Sequence, residues 1–237
     1  MTKAVIVIPC YNEAERLKTE RFSGFLAEHR EISLLFVDDG SKDSTAEILN
    51  VLCREHVNAD VLLLPENKGK AEAVRQGMLH AAGTNPPFIG FWDADLATPL
   101  SEVFPMLKKA EQGYIYVSGC RLVTLGRQIR RKVTRHFLGR IFATAVSCHL
   151  GLPVYDTQCG AKIFASGLAG DIFSRPFVTK WFFDVEILRR MINRYGRETV
   201  TEKSFEYLLD HWQDEKGSKI KYFSALKDFI HLLLTKN

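Results

Sequence analysis

Short apolar runs alternating with amphipathic stretches fill the first 120 residues, and this alternation constrains the fold more than any other feature. The apolar runs are Val5–Ile8, Ser33–Val37, Val61–Leu64, Phe88–Trp92 and Tyr114–Ser118. Each is rich in Val, Ile, Leu or Phe without strict alternation, the pattern of strands buried on both faces. Helical segments are expected between them. One follows Ser41/Asp43 and carries Ile48, Leu49 and Leu52. A second, Ala-rich, spans Lys70–Ala82. A third spans Val103–Glu111 after Ser101, with Glu102 suited to a helix start. The fold class is therefore α/β, an open and mostly parallel sheet flanked by helices.

A polar motif follows each of four strands: Pro9-Cys10-Tyr11-Asn12-Glu13, Asp38-Asp39-Gly40-Ser41, Asn67-Lys68-Gly69 and Asp93-Ala94-Asp95. Open α/β sheets bind ligands beyond the carboxyl ends of their strands, so the four clusters are expected to converge on one crevice. Within it, Asp93 and Asp95 offer two carboxylates one residue apart. Hard cations such as Mg²⁺ and Mn²⁺ favour carboxylate and phosphate oxygens, commonly one or two acids plus a substrate's phosphates.

The balance of charge excludes little. A net charge of +4 over 237 residues is too mild to imply nucleic acid. Locally, however, Arg127, Arg130, Arg131, Lys132 and Arg135 accumulate with no acid until Asp156. The five cysteines are scattered without a CxxC pair, so reduced thiols in a cytoplasmic protein are expected. No window approaches the roughly 18–20 apolar residues of a membrane span, so any membrane contact is expected to be peripheral, on the cytoplasmic face.

Beyond residue 120 the pattern changes. Gln128–Leu150 reads as one long helix with Ile129, Val133, Phe137, Ile141 and Ala145 on a stripe, ended by Gly151 and Pro153. Asp156–Phe164 reads as a turn into a strand, Val185–Arg194 as a helix and Glu198–Trp212 as strand-like. A last amphipathic stretch carries Leu226, Phe229, Ile230, Leu233 and Leu234. With no linker or repeat, residues 1–237 read as a single domain in two halves, 1–120 and 121–237.

Three other site types do not fit. A dinucleotide fold needs GxGxxG after its first strand, and none is present. Sugar-phosphate nucleotidyltransferases open on a Gly-rich phosphate loop, whereas this chain opens on Pro-Cys-Tyr-Asn-Glu. Haloacid-dehalogenase phosphatases place Thr or Val where Ala97 stands, and their D-x-D follows the first strand.

The segments VIPCYNEAERL, FVDDGSKDST, NKGKAEAVRQG and FWDADLATP together resemble family 2 glycosyltransferases of the GT-A fold. VSGCRL, DTQCGAKIF, WFFDVEIL and WQDEKGSK resemble the branch that glycosylates polyprenyl phosphates. DTQCGAK with FDVE is most similar to dolichyl-phosphate β-glucosyltransferases, with polyprenyl-phosphate mannosyltransferases next. The resemblance runs from Val5 to Lys219.

That resemblance implies a hexose moved with inversion from a nucleoside-diphosphate sugar, UDP-glucose before GDP-mannose, to a polyprenyl phosphate, with Mg²⁺ or Mn²⁺. It implies Pro9, Tyr11, Glu13, Asp38, Asp39, Lys68, Gly69, Asp93 and Ala94 at the nucleotide sugar. Asp95 would be the metal ligand, and Asp93 would lie near the ribose and sugar. Arg121 and Lys219 would add positive charge at the phosphates, and Asp156 and Gln158 would line the acceptor side. Arg131 and Arg135 would face the acceptor phosphate or anionic lipid. An acceptor phosphate is already ionised and needs no base. Were the acceptor a saccharide hydroxyl, Asp184 is the implied base. A non-catalytic nucleotide-sugar-binding protein is the remaining alternative. Many relatives in this branch carry membrane-spanning helices, which this chain does not show.

Overall fold

The computed structural model describes residues 2–130, 133–179 and 181–213, with only the backbone described at 130 and 133–138. In chain order the elements are β1 (Ala4–Cys10), α1 (Thr19–Glu28), β2 (Ile32–Asp38), α2 (Thr45–Glu55), β3 (Ala59–Leu63), α3 (Lys70–Gly83) and β4 (Phe88–Trp92). Then come α4 (Val103–Glu111), β5 (Tyr116–Cys120), β6 (Gln128–Arg130), α5 (Val133–Leu150), β7 (Ala161–Ala165) and α6 (Ala169–Phe173). The remainder are α7 (Phe183–Tyr195), α8 (Arg197–Lys203), β8 (Ser204–Leu208) and β9 (His211–Gln213).

The chain divides into two compact units. One comprises the residues up to Leu96 together with Gly160–Pro176, and the other comprises Ala97–Cys159 together with the chain from Phe177 on.

In the first unit the strands pair in the order β3-β2-β1-β4-β7. The first four are parallel, and β7 runs antiparallel to β4. The apolar runs become strands because they bury both faces: Ala4–Ile8 and Leu34–Val37 are almost wholly inaccessible. Phe22 of α1 meets Phe36 of β2 edge-on at 5.1 Å, and Phe164 of β7 meets Phe173 of α6 at 5.5 Å. Each fully buried Phe contributes on the order of 1.5–3 kcal/mol. Phe22, Phe25 and Leu26 form the buried stripe of α1, a helix beyond those expected from the sequence.

Helix α3 lies close on the sheet because of Gly77. A Cβ there would stand 2.4 Å from Val7 Cγ1 and 2.8 Å from Val37 Cγ2. Glycine costs about 1 kcal/mol relative to alanine inside a helix, so here close packing overrides propensity. That packing fixes the height of the α3 N-terminus over the strand ends.

In the second unit β5 pairs with β8 and β6 with β9, both in parallel. Two expectations are corrected here. Gln128–Arg130 is not the start of the long helix. It is strand β6, whose Gln128 N–H donates to Asp210 O at 2.9 Å, and the helix begins at Val133. Ile129, which fits a helical stripe, is instead buried on that strand. Likewise Glu198–Trp212 is not one strand. Gly196, at φ 81°, ends α7, and α8 follows with only Val200 buried before β8 begins at Ser204. The β-branched residues Thr199, Val200 and Thr201 made the helix look extended. Helix α4 is preceded by a 3-10 turn at Leu100–Glu102, and α5 ends at Gly151 (φ 62°), as its sequence implies. The stretch around Phe223–Leu234 lies outside the described residues.

Gly77→Ala should destabilise the protein by about 1–3 kcal/mol through overpacking, despite alanine's better helix propensity. Chemical denaturation checks this, and an unchanged or higher stability would contradict the packing account.

Candidate functional site

Three of the four polar motifs of the first unit are hydrogen-bonded to one another, and the fourth meets Lys70, the residue after the third. Asp39, 2% exposed at the end of β2, donates its own N–H to Cys10 O at 2.9 Å, joining it to the end of β1. Its carboxylate accepts the N–H of Lys68 on Oδ1 and that of Gly69 on Oδ2, both at 2.8 Å. Burial raises the Asp39 pKa, and these two amide bonds oppose that shift. Gly69 needs its glycine because φ is 95°. Gly40 has φ 64°, and a Cβ there would meet the backbone of Glu66 at 2.5 Å.

The loop after β1 is held in the same manner. Asn12, itself at φ 49°, donates its N–H to Ser41 Oγ at 2.9 Å and accepts from Lys42 N at 2.9 Å. Glu13 N–H donates to Thr45 Oγ1 at 2.8 Å, and the Glu13 carboxylate pairs with Arg16. Pro9 lies on β1 beside Val37, and Tyr11 is half-buried in the loop that follows. Asp38 Oδ2 accepts from Ser41 N at 3.1 Å, while its buried Oδ1 has no hydrogen-bond partner.

Asp93 and Asp95 sit in the turn after β4, both half-buried around a buried Ala94. Leu96 is left-handed at φ 55° and donates its N–H to Asp93 O at 3.2 Å. The two acids are held differently. Lys70, first residue of α3, pairs directly with Asp93 Oδ1. Gly160 faces the same carboxylate so closely that a Cβ would fall 1.9 Å from Asp93 Oδ2. At Asp95, Lys18 Nζ donates to the backbone carbonyl at 3.1 Å. Lys70, Gly160 and Lys18 were not singled out in the sequence. Lys70 read as a helix start, and Gly160 stands inside the DTQCGAK segment, where its closeness to Asp93 has no sequence signal.

As a donor set, the two carboxylates of this turn fit a hard divalent cation of the kind completed by a substrate's phosphates. Among the described residues no group of three or more His, Cys, Asp or Glu is placed to hold a metal by itself.

The second unit gathers the other candidates. Arg121, just past β5, makes a bidentate pair with Asp156, Nε to Oδ2 at 2.7 Å and Nη2 to Oδ1 at 2.8 Å. Its backbone N–H also reaches Asp156 Oδ2 at 3.0 Å, and its guanidinium lies 5.4 Å from the centre of the Trp212 ring. Gln158 N–H donates to Asp156 Oδ1 at 3.2 Å, and Gln158 Nε2 is buried without a hydrogen-bond partner. Asp184 is 6% exposed in the first turn of α7, near Tyr116, where its charge adds to burial in raising the phenol's pKa. Arg131 and Lys219 lie outside the described residues, and only the helical backbone of α5 is described at Arg135.

Against known proteins, the model for "Glycosyl transferase family 2" matches residues 5–172. The chain belongs to that family. Among its relatives is a dolichyl-phosphate beta-glucosyltransferase of Trichomonas vaginalis, 30% identical over 96% of this chain and 71% of that one. Another is the dolichyl-phosphate beta-glucosyltransferase of Homo sapiens, 30% identical over 92% of this chain and 69% of that one. Glucosyl-3-phosphoglycerate synthase from Mycobacterium tuberculosis has been solved with Mn²⁺, UDP-glucose and phosphoglyceric acid. It superposes with a TM-score of 0.69 over 100% of this chain and 81% of that one, at 18% identity. That likeness shows the GT-A-type α/β fold expected of a family 2 glycosyltransferase. No helix among the described residues is long and apolar enough to cross a membrane.

Gly160→Ala should leave the family 2 fold intact but lower transferase turnover by about 10²-fold, since a misplacement of about 1 Å costs that much. The check is turnover measured alongside melting temperature. Wild-type turnover would mean that the Asp93 position is not needed.

Proposed function

We propose that this glycosyltransferase moves glucose from UDP-glucose to the phosphate of a polyprenyl phosphate such as dolichyl phosphate, with inversion. The observation that carries this reading is the similarity to dolichyl-phosphate beta-glucosyltransferases over more than nine-tenths of the chain. The Mn²⁺ and UDP-glucose bound by the mycobacterial neighbour support the same donor chemistry.

In this reading Pro9, Tyr11, Glu13, Asp38, Asp39, Lys68 and Gly69 hold the nucleotide. Asp39 has a second lone pair on each oxygen, so it accepts a base N–H while keeping the amides of Lys68 and Gly69. Asp93, with Ala94 beside it, lies at the ribose and sugar, oriented by Lys70. Asp95 would hold Mg²⁺ or Mn²⁺, which when bound neutralises charge on the leaving diphosphate. On the acceptor side Arg121 meets the lipid phosphate, with Asp156 fixing the guanidinium and Gln158 beside it. Arg131, Arg135 and Lys219 add positive charge to that side. The acceptor oxygen is already ionised, so positioning for in-line attack does much of the work and no general base is required. The lipid would reach the protein from a membrane surface contacted peripherally. Exposed Val123 and Leu125, in the loop after Arg121, suit that contact.

The test is transfer with UDP- and GDP-sugars, with and without a short polyprenyl phosphate. UDP-glucose with the lipid should give product, and Asp95→Ala should reduce it by at least about 10²-fold. Asp184→Asn should have little effect. A severe loss there would favour a saccharide hydroxyl acceptor with Asp184 as base. Donor binding without consumption of any sugar would favour a non-catalytic binding protein.

A pH dependence follows from Asp39. Its raised pKa means that protonation begins at a higher pH than for an ordinary aspartate. On acidification the carboxyl loses acceptor capacity for both the loop amides and the base. UDP affinity should therefore fall as pH drops toward and through that raised pKa, starting above the usual aspartate range. Asp39→Asn should bind more weakly and lose this component of the dependence. Calorimetric titration across pH checks both, and an unaltered pH profile in Asp39→Asn would contradict the assignment.

A further inference from the structure

The loop that presents Asp156 has no regular structure between Leu152 and Gly160, so its peptide N–H groups need acceptors from elsewhere. Two adjacent ones find the same side chain. Glu206 accepts the N–H of Tyr155 on Oε1 at 3.0 Å and on Oε2 at 2.8 Å, and it accepts the N–H of Asp156 on Oε1 at 2.8 Å. Glu206 stands on β8, in register with Ser118 of β5, three residues before Arg121. It lines a cavity of about 110 Å³ with Tyr116, Ser118, Asp156, Thr201 and Ser204.

We propose that Glu206 is the residue that positions the Arg121–Asp156 pair. The connection is direct: Glu206 fixes the peptide of Asp156, and the Asp156 carboxylate fixes the Arg121 guanidinium through two charge-assisted bonds. A bidentate Arg–carboxylate pair depends on geometry, so a small displacement of the 155–156 peptide opens the fork. Removing Glu206 also leaves two peptide N–H groups without their acceptor, which drives such a displacement. Strand β8 thereby governs a guanidinium that it does not itself bear. Glu206 touches neither donor nor acceptor in this account and acts through Asp156. The inference rests on the reading that Arg121 meets the acceptor phosphate.

The experiment uses the full chain and three readouts: acceptor KM and kcat with a short polyprenyl phosphate, UDP affinity by calorimetry, and the Arg121 Nε–H resonance, assigned by its loss in Arg121→Lys. Glu206→Ala should raise the acceptor KM roughly tenfold or more and leave UDP affinity unchanged. Glu206→Gln, which keeps one carbonyl oxygen as acceptor, should recover most of that loss. In an Asp156→Asn background, Glu206→Ala should add less than about twofold, because the two residues act in one path. Unchanged acceptor KM, a parallel loss of UDP affinity, or fully additive losses with Asp156→Asn would each overturn the proposal. Should Glu206→Ala fail to fold, Glu206→Gln decides: a modest rise in KM with a shifted Arg121 resonance supports it, and wild-type values overturn it. Should the wild-type chain transfer nothing to polyprenyl phosphate, the proposed acceptor is wrong. The Arg121 resonance then carries the test, with a shift and broadening in Glu206→Ala expected and an unaltered line overturning the role.

Discussion

One buried carboxylate ties together the strand ends of the first unit. Asp39 belongs to the end of β2, reaches β1 through its own N–H and takes the consecutive amides of Lys68 and Gly69 onto its two oxygens. The next residue, Lys70, opens α3 and pairs with Asp93 beyond β4. Four loops thus share one line of contacts. An unpaired buried carboxylate would be expensive, and the two amide bonds are what make it tolerable. The cost that remains is visible as the raised pKa of the same group.

Carboxylates holding loop amides recur through the molecule. Asp38 takes Ser41 N, Glu102 takes Asp210 N and His211 N, Glu186 takes Val178 N, and Glu206 takes the amides of Tyr155 and Asp156. Most of these loops follow or precede strands, where the ladder stops and backbone groups lose their partners, while the Val178 loop joins α6 to α7. A short acidic side chain supplies two acceptors at such a place without needing a further element. In this protein, therefore, an acid near a strand end is as much a builder of the loop as a group that faces ligand. Asp39 and Asp156 serve in both ways in the proposed mechanism, whereas Glu102 and Glu206 serve in the first.

The fold was readable wherever burial was two-sided. β1, β2 and β4 stand within two residues of the apolar runs that announce them, because strands covered on both faces leave an unbroken hydrophobic signal. Where an element buries only one or two side chains, that signal weakens. α8 buries Val200 alone and has the sequence of a strand, and β6, with Ile129 buried, fits a helical stripe. The site divides along a similar line. The motifs at the strand ends were visible as polar clusters, but the residues that orient them were not. Lys70, Gly160 and Glu206 act through contacts 23, 67 and 50 positions away, as Lys70 to Asp93, Gly160 to Asp93 and Glu206 to Asp156. No local pattern encodes such pairings.

Gly160 sets the Asp93 carboxylate by space, as Lys70 does by charge. Asp93 is pressed against a backbone that admits no side chain and is matched by an ammonium from α3. Its carboxylate is thereby directed and neutralised, a poor state for binding a dication and a good one for a hydrogen-bonding role. Asp95 is held at its carbonyl by Lys18, in a turn whose next residue, Leu96, is forced left-handed. Asp93 thus meets an ammonium and a glycine backbone at its carboxylate, and Asp95, one position apart, meets a lysine at its carbonyl.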